Sequence, residues 1–212
     1  MFEVRVGVEL EFYSKRAKSF FNGEVKEEIG KGQLEVVFPH SSNIPQVLKE
    51  VLQFKRKYKE DADFRAHHFG LPSSALQFNI SIHKQGKPFV TPGILHHLLA
   101  DIKPDLHFFA PTENCRARLK DLEKIKNFRN SPYTLCIGDK NNRTAAIRVI
   151  ENRIEHRVPS ASCLVIPSFR SILNSISKGL QETEERHLPI IYANAFEEEV
   201  MTLYNLELIC TQ

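Results

Sequence analysis

An α+β fold, with an antiparallel sheet covered by helices on one face, is what the sequence predicts, and three observations carry it. The opening residues alternate strictly: Phe2, Val4, Val6, Val8, Leu10 and Phe12 are apolar, and Glu3, Arg5, Gly7, Glu9 and Glu11 stand between them. That period of two is the signature of a half-buried strand. The alternation recurs at Leu76, Phe78, Ile80 and Ile82, interleaved with Gln77, Asn79 and Ser81, and again over 153–158. Elsewhere the apolar residues follow a helical period, as in Val47, Leu48, Val51 and Leu52. Strands with one apolar face need a cover, and helices with one apolar stripe supply it.

The elements follow in order. Residues 2–12 form the first strand, and a turn is expected around Phe21-Asn22-Gly23. Residues 24–38 read as extended, interrupted by Gly30 and Gly32. A helix is expected over 43–60, ending in the basic run Lys55-Arg56-Lys57, where cations complement the helix dipole. Residues 62–69 and 75–83 read as a strand pair. A second helix runs over 91–103, with Thr91 as N-cap and Pro92 at the first position. The stretch 104–132 is mixed and loop-rich. Strands over 143–150 and 153–158 are joined by a turn near Glu151-Asn152. A long helix then starts at Ser160 or Ser162, with Phe169, Ile172, Leu173, Ile176 and Leu180 on one face. A last short helix is expected from Asn194.

Composition bounds the function classes. The chain has 212 residues, sufficient for one well-buried domain, and no repeat or Gly/Ser linker divides it. Lys+Arg 29 against Asp+Glu 26 leaves a net charge of +3, too small and dispersed to argue for nucleic acid. No apolar run is long enough for a membrane span. Cys115, Cys136, Cys163 and Cys210 have no close spacing, which excludes a zinc knuckle and fits reduced thiols in a cytoplasm. The adjacent pairs His67-His68 and His96-His97 point apart in a regular element, so neither pair readily shares one metal.

The polar faces of the strands hold the functional signal. Glu9 and Glu11 lie side by side, and the next strand adds Glu27 or Glu28, then Glu35. Arg153, Glu155 and Arg157 share a face, while His156 points the other way into packing. Arg143 and Arg148 lie on the strand before. A face carrying several carboxylates repels itself unless cations sit among them, and either arginines or oxygen-preferring divalent metals can serve. Carboxylates for metal and arginines for phosphate are the equipment of phosphoryl transfer from ATP.

Several segments are similar to a known family. GVELEFY (7–13), EEIGKGQLE (27–35), SALQFNISI (74–82), APTENCRARL (110–119), NNRTAAIRV (141–149) and RIEHRVPSAS (153–162) resemble, in order, blocks of the glutamine synthetase catalytic domain. NNRTAAIR followed by RIEHR is the most specific of them. The resemblance spans nearly all of residues 1–212, read as a single catalytic domain without the family's N-terminal β-grasp domain. It implies a curved antiparallel sheet backed by helices, of the glutamine synthetase and guanido kinase type. It implies an ATP- and Mg²⁺-dependent (or Mn²⁺-dependent) ligase with two metal sites. There, glutamate or a similar acid forms an acyl phosphate that ammonia or another amine displaces, in cytoplasmic nitrogen metabolism.

Residue by residue, the resemblance gives Glu11, Glu27 and Glu35 to one metal, and Glu9 and Glu155 to the second. Gln77 stands where the family has a histidine ligand, and Asn79 replaces another histidine two residues on. Arg143 and Arg148 match phosphate-contacting catalytic arginines. Arg153, Ser81 and Asn79 fall on the nucleotide side, and Arg118 and Arg157 match the pair holding the acid substrate. The segment Phe128-Arg129-Asn130-Ser131-Pro132 has no acid where the family's flap glutamate sits. That departure, together with the missing domain, favours an amine other than ammonia. It also raises an alternative: a catalytically impaired nucleotide- or glutamate-binding protein acting as a sensor or partner subunit. The assemblies implied are a homo-oligomer, or a complex with a separate subunit that supplies the absent domain. No nucleic-acid or membrane partner is expected.

Overall fold

In the computed structural model, residues 2–27, 32–65, 74–102, 106–109, 137–138, 146–150 and 153–183 are described. The chain order is β1 (Phe2–Tyr13), a short 3-10 turn (Lys18–Phe21), β2 (Val25–Glu27), β3 (Gln33–Ser41), α1 (Ile44–Lys57), β4 (Ala75–Lys84) and β5 (Lys87–Pro88). Then come α2 (Pro92–Ile102), α3 (Leu106–Phe109), β6 (Ile137–Gly138), β7 (Ile147–Ile150), β8 (Arg153–His156) and α4 (Val165–Thr183). Among the described residues the strands form one sheet in the order β2-β3-β1-β4-β8-β7-β6, and β5 pairs with β4. Every pairing is antiparallel except β6 with β7 at the edge, which is parallel.

β1 is the spine of the sheet because it alternates over its whole length and pairs on both sides, with β3 and with β4. Its even residues Val6, Val8, Leu10 and Phe12 are fully buried, as are Leu76, Phe78, Ile80 and Ile82 of β4. These two rows form one apolar face. α1 and α4 lie over it, with Val47, Leu48, Val51 and Phe54 from α1 and Phe169, Ile172, Ile176 and Leu180 from α4 turned inward. Phe12 packs on Phe21, Phe54 and Phe64, and Phe78 on Phe169. Each fully buried phenylalanine contributes roughly 2–3 kcal/mol of transfer free energy.

Local signals explain the boundaries. Asn43 caps α1, its side chain accepting from the Gln46 amide at 3.3 Å, and Thr91 Oγ1 accepts from the Ile94 amide in the same way. Asn22 adopts the left-handed conformation at the end of the 3-10 turn, where asparagine is tolerated better than most residues. α4 starts at Val165, after the turn at Ser160–Cys163, a few residues later than the serines suggest. No described helix is long and apolar enough to cross a membrane.

One expectation is corrected. The described part of 62–69 does not form a strand paired with β4; it makes a single bridge, Asp63 to Tyr13, and β4 pairs instead with β1 and β8. Ala62 and Phe64 do alternate with Asp63 and Arg65 and pack on the core, but among the described residues the Asp63 bridge is not extended into a ladder. The sheet is antiparallel as expected, apart from the edge pairing in which β6 runs alongside β7 in the same direction. The helix expected from Asn194 lies outside the described residues, as do Cys115, Cys136, Cys210 and the His67-His68 pair.

Candidate active site

The face opposite the helices carries the polar residues, and the strand register sorts them into rows. Across β2, β3 and β1 one row reads Lys26, Glu35, Glu11. The next pairs Glu9 with Gln77. A third runs Gly7, Asn79, Glu155, Arg148 over β1, β4, β8 and β7, and a fourth Arg5, Ser81, Arg153, Ile150. Two-residue periodicity alone therefore brings Glu9, Glu11, Glu35, Gln77, Asn79, Ser81, Arg148, Arg153 and Glu155 to one surface.

Charges on this face meet in pairs. Arg148 Nε donates to Glu155 Oε2 at 2.8 Å and a second guanidinium nitrogen meets the same oxygen, while Arg153 Nη2 reaches Glu155 Oε1 at 3.1 Å. Gln77 links the two ends of the site: its Nε2 donates to Glu11 Oε1 at 2.7 Å, and its Oε1 accepts from Arg157 Nε at 3.3 Å. Lys26 Nζ lies 2.5 Å from Glu35 Oε1. Glu35, Gln77, Asn79, Glu155 and Arg157 are all buried. Burial at this level strengthens each charge pair relative to the surface and makes each unpaired atom costly.

Three buried atoms on this face meet no partner among the described residues: Gln33 Oε1, Asn79 Oδ1 and Arg153 Nε. Gln33 is 1% exposed, and its amide nitrogen lies 3.5 Å from Glu11 Oε2. Buried polar groups are normally satisfied, so a face holding three that are not is suited to a polar guest or ordered water. Nearby, the His40 ring sits over Gly7 so closely that a Cβ there would overlap its Cδ2. Burial, then Arg153, Arg5 and His83, hold the His40 imidazole below its ordinary pKa. Burial, then the Glu11 carboxylate, push the Tyr13 phenol up.

The fit to divalent cations differs between the two expected sites. Glu11 and Glu35 are direct cross-strand partners, and Gln33 adds a carboxamide oxygen without a donor. That all-oxygen set suits a hard cation such as Mg²⁺ or Mn²⁺. The second set is committed elsewhere: both oxygens of Glu155 are held by guanidinium groups, and the Gln77 oxygen faces Arg157. Among the described residues no group of three or more His, Cys, Asp or Glu side chains converges. The register also sets Glu27 opposite Leu34, so that Lys26 is the β2 residue facing Glu35. Arg118, Arg143 and the 128–132 segment lie outside the described residues.

Residues 13–203 match the family described as "Glutamine synthetase, catalytic domain". The chain belongs to the glutamine synthetase catalytic-domain family. A cryo-electron microscopy structure of Plasmodium falciparum glutamine synthetase is similar in fold, with a TM-score of 0.52 and 14% sequence identity. The likeness covers 88% of this chain and 53% of that one, so the chain spans about half the length of the glutamine synthetase it resembles. No curated protein matches it in sequence.

Three residues of this glutamine synthetase-type face were not singled out from sequence: Lys26, Gln33 and His40. Gln33 was within reach, because it precedes Glu35 by two and must share its side of β3. Lys26 required the β2–β3 register, which a three-residue strand does not reveal.

Proposed function

We propose that this chain is an ATP- and Mg²⁺- or Mn²⁺-dependent carboxylate–amine ligase of the glutamine synthetase type. It joins glutamate or a glutamate-like acid to ammonia or another amine through a γ-glutamyl phosphate. One observation carries the reading: Arg148 from the same row and Arg153 from the next both grip the buried Glu155, beside Asn79 with its unmatched amide oxygen. Those arginines can exchange a carboxylate for the oxygens of a phosphate with little rearrangement, since a guanidinium fork fits both.

The roles follow from position. Arg148 and Arg153, with Arg143 from the preceding segment, hold the phosphates of ATP, and Ser81 and Asn79 line the nucleotide side. Arg157 and Arg118 fix the acid through its carboxylates. Glu11 and Glu35, with the Gln33 amide, would hold a divalent cation, and Glu9 faces the same region from the next row of β1. When bound, such a cation neutralises charge on the transferred phosphoryl group. The γ-carboxylate oxygen then forms a bond to the γ-phosphorus as the bond to ADP breaks. The amine nitrogen attacks the acyl carbon, phosphate leaves, and the amine loses a proton. The protein supplies mainly orientation and fixed charge.

A second reading has its own observation. Gln77 turns its oxygen to Arg157 rather than to a cation site, which favours a protein that binds nucleotide or glutamate without turnover. ADP release measured with Mg²⁺, ATP, glutamate and a panel of amines, hydroxylamine included, separates the two. Amine-dependent ADP release supports the ligase. Saturable ATP binding with no ADP release under any amine supports the binding protein.

A further inference from the structure

We propose that Lys26 is a built-in cation for the Glu11–Glu35 carboxylate pair, so that a divalent ion enters only by displacing an ammonium group. The inference rests on the cation-binding reading of Glu11 and Glu35 given above.

Three observations carry it. In the β2–β3 ladder Val25 pairs with Val36, Lys26 with Glu35, and Glu27 with Leu34. Val25, Val36 and Leu34 are buried in the apolar core, which fixes Lys26 and Glu35 on the opposite, polar face. On that face Glu35 is also the direct partner of Glu11 across β3 and β1. The contact itself is close, with Nζ 2.5 Å from Oε1, and it joins a carboxylate only 7% exposed to a lysine side chain that is 55% exposed.

That asymmetry gives the device its character. Glu11 and Glu35 are fixed by the ladder, and Glu11 also by the Gln77 amide, whereas Lys26 stands on an edge strand with its stem in solvent. An ammonium beside the pair offsets the repulsion between the two carboxylates when no metal is bound. It also repels an arriving divalent ion until the lysine swings out, which its exposure allows. Metal occupancy at this pair and the Lys26–Glu35 contact therefore exclude each other, and Lys26 lowers the affinity for the ion.

Binding of Mn²⁺ alone, followed by the electron paramagnetic resonance signal of the free ion, tests this without reference to activity. Lys26→Ala and Lys26→Met should each raise Mn²⁺ affinity by about tenfold or more, the order expected when one unit charge is removed close to a semi-buried site. Lys26→Arg, which keeps the charge, should bind as the parent does. Adding Glu35→Gln to Lys26→Ala should abolish the gain. If parent and Lys26→Ala bind Mn²⁺ equally and both lose it with Glu35→Gln, the ammonium has no such role, although the cation reading of the pair stands. If none of these proteins binds Mn²⁺ through Glu35, the cation reading and this inference fall together. Removing the ammonium leaves Glu35 beside Glu11 without its cation, so in the absence of metal both neutral variants should melt below the parent while remaining folded at the assay temperature, as circular dichroism would check.

Discussion

Arg148 and Glu155 face each other across the β7–β8 ladder, and the guanidinium meets Glu155 Oε2 from two of its nitrogens. The side chains are 14% and 5% exposed, so the pair sits where water screens it little. Breaking such a pair from one side costs more than the pair itself contributes, because the remaining charge stays buried. Arg148→Met should therefore destabilise the fold by about 3 kcal/mol, with Arg153 limiting the loss. Adding Glu155→Gln should recover roughly half of it. Urea unfolding of the parent, both single variants and the double variant checks the coupling; strictly additive losses would contradict it.

His156 predicts an acid sensitivity. It points to the apolar side of β8 against Phe109, and burial lowers its pKa from 6.5 to about 3. Its Nδ1 meets no hydrogen-bond partner among the described residues. The unfolded chain takes up a proton near the ordinary value, whereas the folded chain resists protonation until the pH approaches the lowered one. This contribution is thus fully present above about pH 6.5 and is lost as the pH falls toward 3, at about 1.4 kcal/mol per pH unit. The urea midpoint should fall between pH 7 and 5 more steeply in the parent than in His156→Phe. Equal slopes would contradict the assignment.

α2 and α4 cross at a glycine. A Cβ on Gly179 would overlap Ile94 Cα and lie 2.5 Å from the Ile94 backbone nitrogen. Backbone cannot move aside as a flexible side chain does, so Gly179→Ala must part the helices. Overpacking of this kind costs about 1–3 kcal/mol, and the gain in helix propensity of roughly 1 kcal/mol offsets only part of it. A net loss of about 1 kcal/mol or more, and a lower melting temperature, are expected. A melting temperature equal to or above that of the parent would show that the crossing has room to spare.

Much of this architecture was legible in sequence because period-two alternation is a direct record of which strand face is buried. Val6, Val8, Leu10 and Phe12 determined the side on which Glu9 and Glu11 would stand, and the same reasoning joined Gln77 with Asn79 and Arg153 with Glu155. Cross-strand relationships were harder to read. That Arg148 meets Glu155 depends on where the β7–β8 hairpin turns, and that Lys26 rather than Glu27 faces Glu35 depends on the register of a three-residue strand. Alternation gives a residue's face but leaves its partner open, and the chemistry here lies in the partners. The short segment before β4 was misread for a related reason: hydrophobic residues near a sheet do not make a strand without a continuous ladder.

In the proposed reaction the acid's own carboxylate oxygen becomes bonded to phosphorus. Glutamate labelled with oxygen-18 in its γ-carboxylate, incubated with ATP, Mg²⁺ and an amine that supports turnover, tests it directly by mass analysis of the phosphate released. One labelled oxygen in each phosphate, and an amide product formed in step with ADP, are expected. Unlabelled phosphate accompanying ADP release would mean that water, not the carboxylate, attacks the nucleotide, and would contradict the assignment as a ligase.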